Sequence, residues 1–354
     1  MEQVVYGHAL ALFQLGREME AQQTLREAIE FLPLVAEGLA RSYHLLPRDL
    51  HPDRVTHGGR DQAYYYWQDQ GQYWKNTPGA IEFVRGQVSG SADPTQRRFS
   101  AWLGQHRDTE AARQAKALPL RRDMVTLLEY VIENKVVGTQ STGNMPLKAV
   151  REVAARFVDP PELDTSIGER VFRLRSEAEV RPLYFLHVLA EVGDLLAIAP
   201  ARRWRVTHGG EEFLDLDPFM QVLFLLVTWW HGANWLTVYP FAAMGDALPS
   251  AFERVTLTRL LSLQVEERVP FREFADGLIA ETGLTWGRQD SSLVTLMLQA
   301  SIERMVIEIL ASFDAVASEY RNKPLGRGTI SELDTFAVTP FGKTLLEGVA
   351  VAGG

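Results

Sequence analysis

His51, Asp53, His57 and Asp61 fall close together, and imidazole and carboxylate donors at that density could ligate a metal. The same stretch contains "RVTHGG" (54–59), a hexapeptide that recurs at 205–210. The backbone N–H groups of a Gly-Gly turn opening a helix can hold an anion. The histidine and aspartate spacing matches no established metal motif. Two glycine turns entering two helices, with histidines in polar loops, is the simpler reading, so no metal and no cofactor is assigned. Nucleophilic catalysis needs a Ser, Thr or Cys beside a base. The chain has no cysteine, which excludes thiol chemistry, disulfides and Cys-ligated zinc together. It has no Gly-x-Ser-x-Gly elbow, Walker loop or His-Glu-x-x-His. The pairs Glu211/Glu212 and Glu266/Glu267 fall beside turns or on polar helical faces, where solvation explains them. No catalytic residue is assigned, and the chain is read as no enzyme.

Two other sets of residues point to binding. Tyr64, Tyr65, Tyr66 and Trp67 are followed by Tyr73 and Trp74. On a helix Tyr64 and Trp67 share a face, which leaves Tyr65 and Tyr66 pointing elsewhere. Tyr64, Tyr65, Trp67, Tyr73 and Trp74 are therefore candidates for protein recognition, with packing against a neighbouring segment as the equal rival. The second set is basic. Arg97, Arg98, Arg107, Arg113, Lys116, Arg121 and Arg122 face only Asp108 and Glu110 between Thr95 and Arg122, and Arg202, Arg203 and Arg205 form a smaller cluster. Against a net charge of −9, the bland reading is a solvated surface. Arg97, Arg98, Arg121, Arg122, Arg202, Arg203 and Arg205 are the candidates for contact with nucleic acid.

The elements that carry these residues begin with "LFLLVTWWHGANW" (223–235), which holds three of the eight tryptophans. Asp217 followed by Pro218 suits an N-cap and first helical position, and Gly232 suits the position after the end. The resulting helix over 218–231 spans roughly 21 Å at 1.5 Å per residue, short of a ~30 Å hydrocarbon core. Core, and no membrane, is the expectation. Met1 leads directly into a helical pattern with glutamates, so no signal peptide is expected and the cytoplasm is the default.

Residues 6–33 resemble one tetratricopeptide unit. Gly16 makes the turn; Ala21, Leu25 and Ala28 form the face of the second helix; and Pro33 closes it. Val5, Ala9 and Leu12 match the first helix less well. Gly58, Ala63 and Trp67 repeat the Gly16, Ala21 and Leu25 spacing. Each such helix pair leaves an apolar flank that a neighbour must cover, whether another domain, a partner protein or a second copy of the chain. Residues 88–118 lose apolar periodicity and read as a basic linker. Beyond it helical patterns run over 119–134, 145–157, 178–192, 218–231, 250–264, 270–281 and 291–312. "RWRVTHGGEEFL" (203–214) and "TFAVTPFGKTLLEGV" (335–349) each alternate, pass through Thr-x-x-Gly and become amphipathic. "VVGTQSTGNMPLKAV" (136–150) is a looser version. A helix followed by a hairpin ending in such a strand is the sequence form of a winged helix. The expected fold is mainly α: TPR-like repeats over 1–87, a linker over 88–118, a winged-helix-like domain over 119–265 and a second unit over 266–354, with small β-hairpins.

Residues 120–265 also resemble the C-terminal region of the plasmid pRiA-type ORF family. The likeness rests on "STGNMPLKAVREV", "LYFLHVLAEVGDLLAI", "WRVTHGGEEFL" and "LFLLVTWWHGANW" in that order. Thr142–Leu147 and Trp230–Trp235 are its most specific strings. The N-terminal domain usual in that family gives way here to helical repeats, and the SEC-C tail that some members carry needs cysteines this chain lacks. The family supplies no catalytic residues to carry over. The expectation is a non-enzymatic intracellular adaptor or regulator with a protein partner. The alternatives are a sequence-tolerant DNA- or RNA-binding protein and an enzyme with an unrecognised site.

Overall fold

The computed structural model describes residues 3–40, 60–90, 102, 110–140, 143–167, 170–238, 248–285, 292–325 and 328–353. His51, Asp53, His57, Arg97, Arg98, Arg107 and the first "RVTHGG" lie outside them. The chain divides into two compact units, Met1–Arg97 and Arg98–Gly354.

The first unit is helical: α1 Gln3–Gln14, α2 Glu18–Phe31, α3 Pro33–Ala40, α4 Arg60–Asn76 and α5 Ala80–Gly90. Gly16 and Gly79 turn the chain between α1 and α2 and between α4 and α5, at φ +71° and +79°, conformations that glycine adopts without a Cβ penalty. Ala21, Leu25 and Ala28 are buried as expected, and so are Ala9 and Leu12, while Val5 packs against the same core. The flank of α1 is thus covered inside its own unit. In the second helix pair the turn glycine is Gly79, with Ala80 and Val84 buried behind it. Ala63 and Trp67 lie on α4, Ala63 buried and Trp67 half-buried, while the Gly58 turn expected before them falls outside the described residues.

The second unit opens with α6, Glu110–Ala117, and α7, Pro119–Glu133. The expected linker therefore contains a helix. Ala111 and Ala115, one turn apart, are buried in the core, a small-residue seam that hydropathy does not pick out. A single hydrophobic core continues on both sides of residue 265.

Within this unit one order of elements occurs twice. The first copy is α7, a strand-like piece at 136–138, α8 (Leu147–Ala154), α9 (Arg181–Val192) and the hairpin β3 (Leu196–Ala199) with β4 (Arg203–Val206). The small hairpin β1 (Thr165–Ile167) and β2 (Arg170–Phe172) is inserted between α8 and α9. Val137 bridges Arg203 antiparallel, and Trp204 N–H donates to the Val136 carbonyl at 3.0 Å, so the early piece lies beside β4. The second copy is α13 (Phe252–Ser262), β5 (Val269–Pro270), α14 (Phe271–Thr282), a long helix over 292–312, and the hairpin β6 (Val316–Leu325) with β7 (Gly328–Val338). Its sheet order is β5-β7-β6, again with the early strand beside the last. The first copy is followed by α10, His208–Asp215, and the second by α17, Pro340–Gly353.

Between the copies, α11 (Pro218–Val227) starts where the sequence places it: Met220 N–H donates to the Asp217 carboxylate at 3.1 Å. The α pattern then stops at Val227, and Thr228–Gly232 forms a π turn, which the period of the apolar residues does not disclose. Among the described residues no helix is long and apolar enough to cross a membrane.

Candidate functional site

The aromatic run lies on α4, and its rings have different fates. Trp74 is completely buried, and its indole N–H donates to the Tyr66 hydroxyl at 3.2 Å. Tyr66 in turn packs 5.6 Å from Tyr6, whose hydroxyl donates to the Leu32 carbonyl. Burial raises both phenols, Tyr66 to about 12. Trp74 is therefore a core residue, which removes it from the expected recognition set. Tyr64, Tyr65 and Trp67 are half-buried and Tyr73 is exposed. The Trp67 ring lies flat over Gly71, where a Cβ would come within 2.4 Å of it, and Lys75 sits 4.5 Å above its centroid. Glycine and lysine one and two turns on were the sequence signal for that placement. Tyr64, Tyr65 and Tyr73 remain the open part of the run.

The basic candidates separate in the same way. Arg121 is half-buried: its guanidinium donates to Gln221 at 2.7 Å, and Gln221 in turn donates to the Phe213 carbonyl at 2.8 Å. Burial, with Arg122 beside it, pulls Arg121 below the ordinary arginine range. Arg121 thus ties α7 to α11, and its charge is already committed inside the fold. Arg122 is exposed, and Arg113 pairs with Glu110. Arg203 and Arg205 are exposed on β4, and Arg202 is half-exposed at the hairpin tip, where Ala201 and Arg202 both take left-handed backbone at φ 64° and 59°.

The second "RVTHGG" is a helix entrance. Thr207 Oγ1 accepts from Gly210 N–H at 3.0 Å and donates to the Asp194 carbonyl. A Cβ at Gly210 would stand 2.3 Å from the Leu195 carbonyl oxygen. Close backbone approach accounts for that glycine. His208 is exposed beside Glu211 and Glu212, which leaves no cationic surround for an anion. Among the described residues no cluster of His, Asp and Glu could hold a metal ion. Glu266 and Glu267 are exposed, as expected of solvated acids.

Sequence reasoning passed over a buried ionic group. His187 Nδ1 lies 2.8 Å from Glu177 and Nε2 lies 3.4 Å from Glu191, with the Trp204 ring 4.2 Å away. The Glu177 approach is out of line with the ring N–H, which makes the contact ionic more than hydrogen-bonded. Burial alone would lower the imidazole, but Glu177 and then Glu191 outweigh it and raise it to about 9. The other Glu177 oxygen accepts from Met145 N–H at 2.7 Å. Trp204 donates its indole N–H to the Gly143 carbonyl at 2.9 Å. The group thus joins α9, the strand β4 and the Gly143–Leu147 segment in one cluster, with Glu177 and His187 buried and Glu191 at its outer side.

The other specific string is also accounted for. Trp229, Trp230 and Trp235 are buried, Trp229 and Trp235 stacked at 4.5 Å and Trp230 edge-on to Trp235 at 5.2 Å. Trp235 donates to the Trp229 carbonyl, and the Asn234 side chain accepts from Leu236 N–H. The run quoted from 223–235 fills a core. Comparison with family models, curated proteins and solved structures finds no match in any of the three.

Proposed function

We propose that this chain is a non-enzymatic intracellular adaptor or regulator, with TPR-like helices over 3–90 and two winged-helix-like units over 119–206 and 252–338. The repeated order helix, strand, helix, helix, hairpin supports the winged-helix reading. Membership of residues 120–265 in the plasmid pRiA-type ORF family stays with it as a proposal that rests on the Thr142–Leu147 and Trp230–Trp235 strings of the sequence.

The observation that carries the adaptor reading is the character of the third helix in each unit. A winged helix docks on protein as well as on nucleic acid, and phosphate neutralisation separates the two. The first third helix, α9, is mostly buried; its basic residues are the exposed Arg181 and the buried His187. The second begins at Ser292 and exposes Leu293, Leu296 and Met297, with no basic side chain before Arg304. Among the described residues, the cations on and beside the second hairpin are already engaged: Arg321 with Asp334, Lys323 and Arg272 with Glu332, Arg268 with Glu319. These surfaces suit protein better than phosphate. Affinity capture with the full chain from its native host, followed by nuclease, tests the reading. A protein partner retained through the nuclease step is expected, and capture of nucleic acid alone would overturn it.

A further inference from the structure

The two hairpins present corresponding outer faces with opposite treatment of charge. In the second copy every face cation named above has a carboxylate partner. In the first, Arg202, Arg203, Arg205 and Lys135 make no ion pair within 4.0 Å among the described residues, and Arg205 has only the longer-range attraction of half-buried Asp194. Val137 bridges Arg203, and the pairing goes no further, because Val136 N–H turns back to the Asn134 carbonyl. Lys135, Arg203 and Arg205 are exposed, while Val136 and Trp204 are buried. The tip adds two non-glycine residues in left-handed backbone, a conformation that costs free energy and concentrates at functional sites.

We propose that this face docks an acidic, extended segment of a partner protein, added as a strand along the open edge of β3. That strand pairs with β4 on one side only, among the described residues. Its Ala197 lies opposite Arg205, and a methyl group is too small to block a carboxylate reaching across it to the guanidinium. Main-chain hydrogen bonds along an open edge supply affinity, and alternate side chains supply specificity. Ile198, exposed on β3 and registered with Trp204 on the face opposite Arg203 and Arg205, gives the alternate side chains of the segment an apolar contact, which a phosphate backbone does not use. Glu211 and Glu212 on the next helix, both exposed, oppose a nucleic acid that runs beyond the face. The proposal names the partner chemistry of the adaptor reading and rests on it.

The test uses the full chain and a labelled peptide of about eight residues alternating Glu and Val, its Gln-for-Glu counterpart, and a mixed-sequence DNA duplex. The acidic peptide should bind in a salt-sensitive way and the Gln peptide should not. Arg203→Glu with Arg205→Glu should weaken the acidic peptide by about tenfold or more, with the unfolding midpoint unchanged. Arg203→Gln with Arg205→Gln should give a smaller loss and serves if the reversal fails to fold. Arg268→Ala, beside the second hairpin, should leave binding intact. No peptide binding, binding indifferent to the double variants, or a duplex that displaces the peptide would each overturn the proposal. Capture of a host protein that persists in the double variant rejects this face and leaves the adaptor reading standing. Absence of any captured protein refutes that reading, while the peptide titration still decides the face.

Discussion

A Cβ placed on Gly342 would stand 1.9 Å from the carbonyl oxygen of Ala315, and Gly210 has the same relation to the Leu195 carbonyl at 2.3 Å. The correspondence continues around both sites. Thr339 accepts from Gly342 N–H at 2.8 Å and donates to Asp314, as Thr207 does with Gly210 and Asp194. Asp314 and Asp194 both have φ near +55°, at 54° and 55°. Two distant segments thus solve one problem, how a hairpin strand enters the next helix, with the same residues. Gly342→Ala and Gly210→Ala should each cost on the order of 3 kcal/mol, since backbone must move to admit the methyl. Thr207→Ala and Thr339→Ala should cost about 1 kcal/mol each through the lost cap. Chemical denaturation of the four variants checks the order; alanine tolerated at 342 would contradict it.

His187 should make the protein sensitive to alkali. Its folded pKa, about 9, lies above its ordinary value, so its contribution is fully present below about pH 6.5 and is lost as pH rises through about 9. The midpoint of thermal unfolding should fall between about pH 6.5 and about 9 by more in the native chain than in His187→Gln. Parallel curves for the two proteins would show that the Glu177–His187 contact carries no charge. Glu177→Ala should cost about 3–5 kcal/mol at neutral pH by leaving a buried imidazolium short of a partner.

Asp194 should behave in the opposite sense. Burial, offset in part by Arg205, raises its carboxyl to about 7. A raised acid favours folding while protonated, so stability should decline as pH rises from about 4 through about 7. Asp194→Asn should stabilise the protein at pH 8 by about 1 kcal/mol, after allowance for solvent screening of a half-exposed group. Asparagine also tolerates the left-handed backbone at this position. The gain should vanish near pH 4 in the same denaturation experiment, and a gain independent of pH would assign it to something other than charge.

Trp229, Trp230 and Trp235, like Trp74 and Trp204, should be shielded from iodide, while the half-buried Trp67 is quenched. Trp229→Ala should cost about 3–5 kcal/mol, the usual range for a fully buried large ring. A variant within 1 kcal/mol of the native chain would contradict the core assignment.

Much of the fold was legible because it follows from local rules. Asp217 and Pro218 mark the start of α11, and Thr-x-x-Gly marks both hairpin-to-helix turns, since capping and close approach each require a particular residue. The tryptophan run was legible as core because His231, Gly232 and Asn234 interrupt it before it reaches membrane length. What remained hidden depends on partners distant in sequence. Trp74 could not be separated from Trp67 until Tyr6 and Leu32 were placed beside Tyr66. Arg121 reads as one more surface cation until Gln221, a hundred residues on, is seen to hold it. The Glu177–His187–Glu191 group was missed because a lone histidine in an apolar helix gives no hint of a carboxylate on another element.

The most direct test of the adaptor account is a salt titration of the full chain against duplex DNA. Each phosphate neutralised should add about −0.9 to the slope of log affinity against log salt. The account predicts weak binding or none near physiological salt, because α9 is mostly buried and the described cations of the second hairpin, Arg321 and Lys323, are already paired. Sub-micromolar, salt-sensitive binding that is abolished when Arg202, Arg203 and Arg205 are changed together to Ala would contradict it.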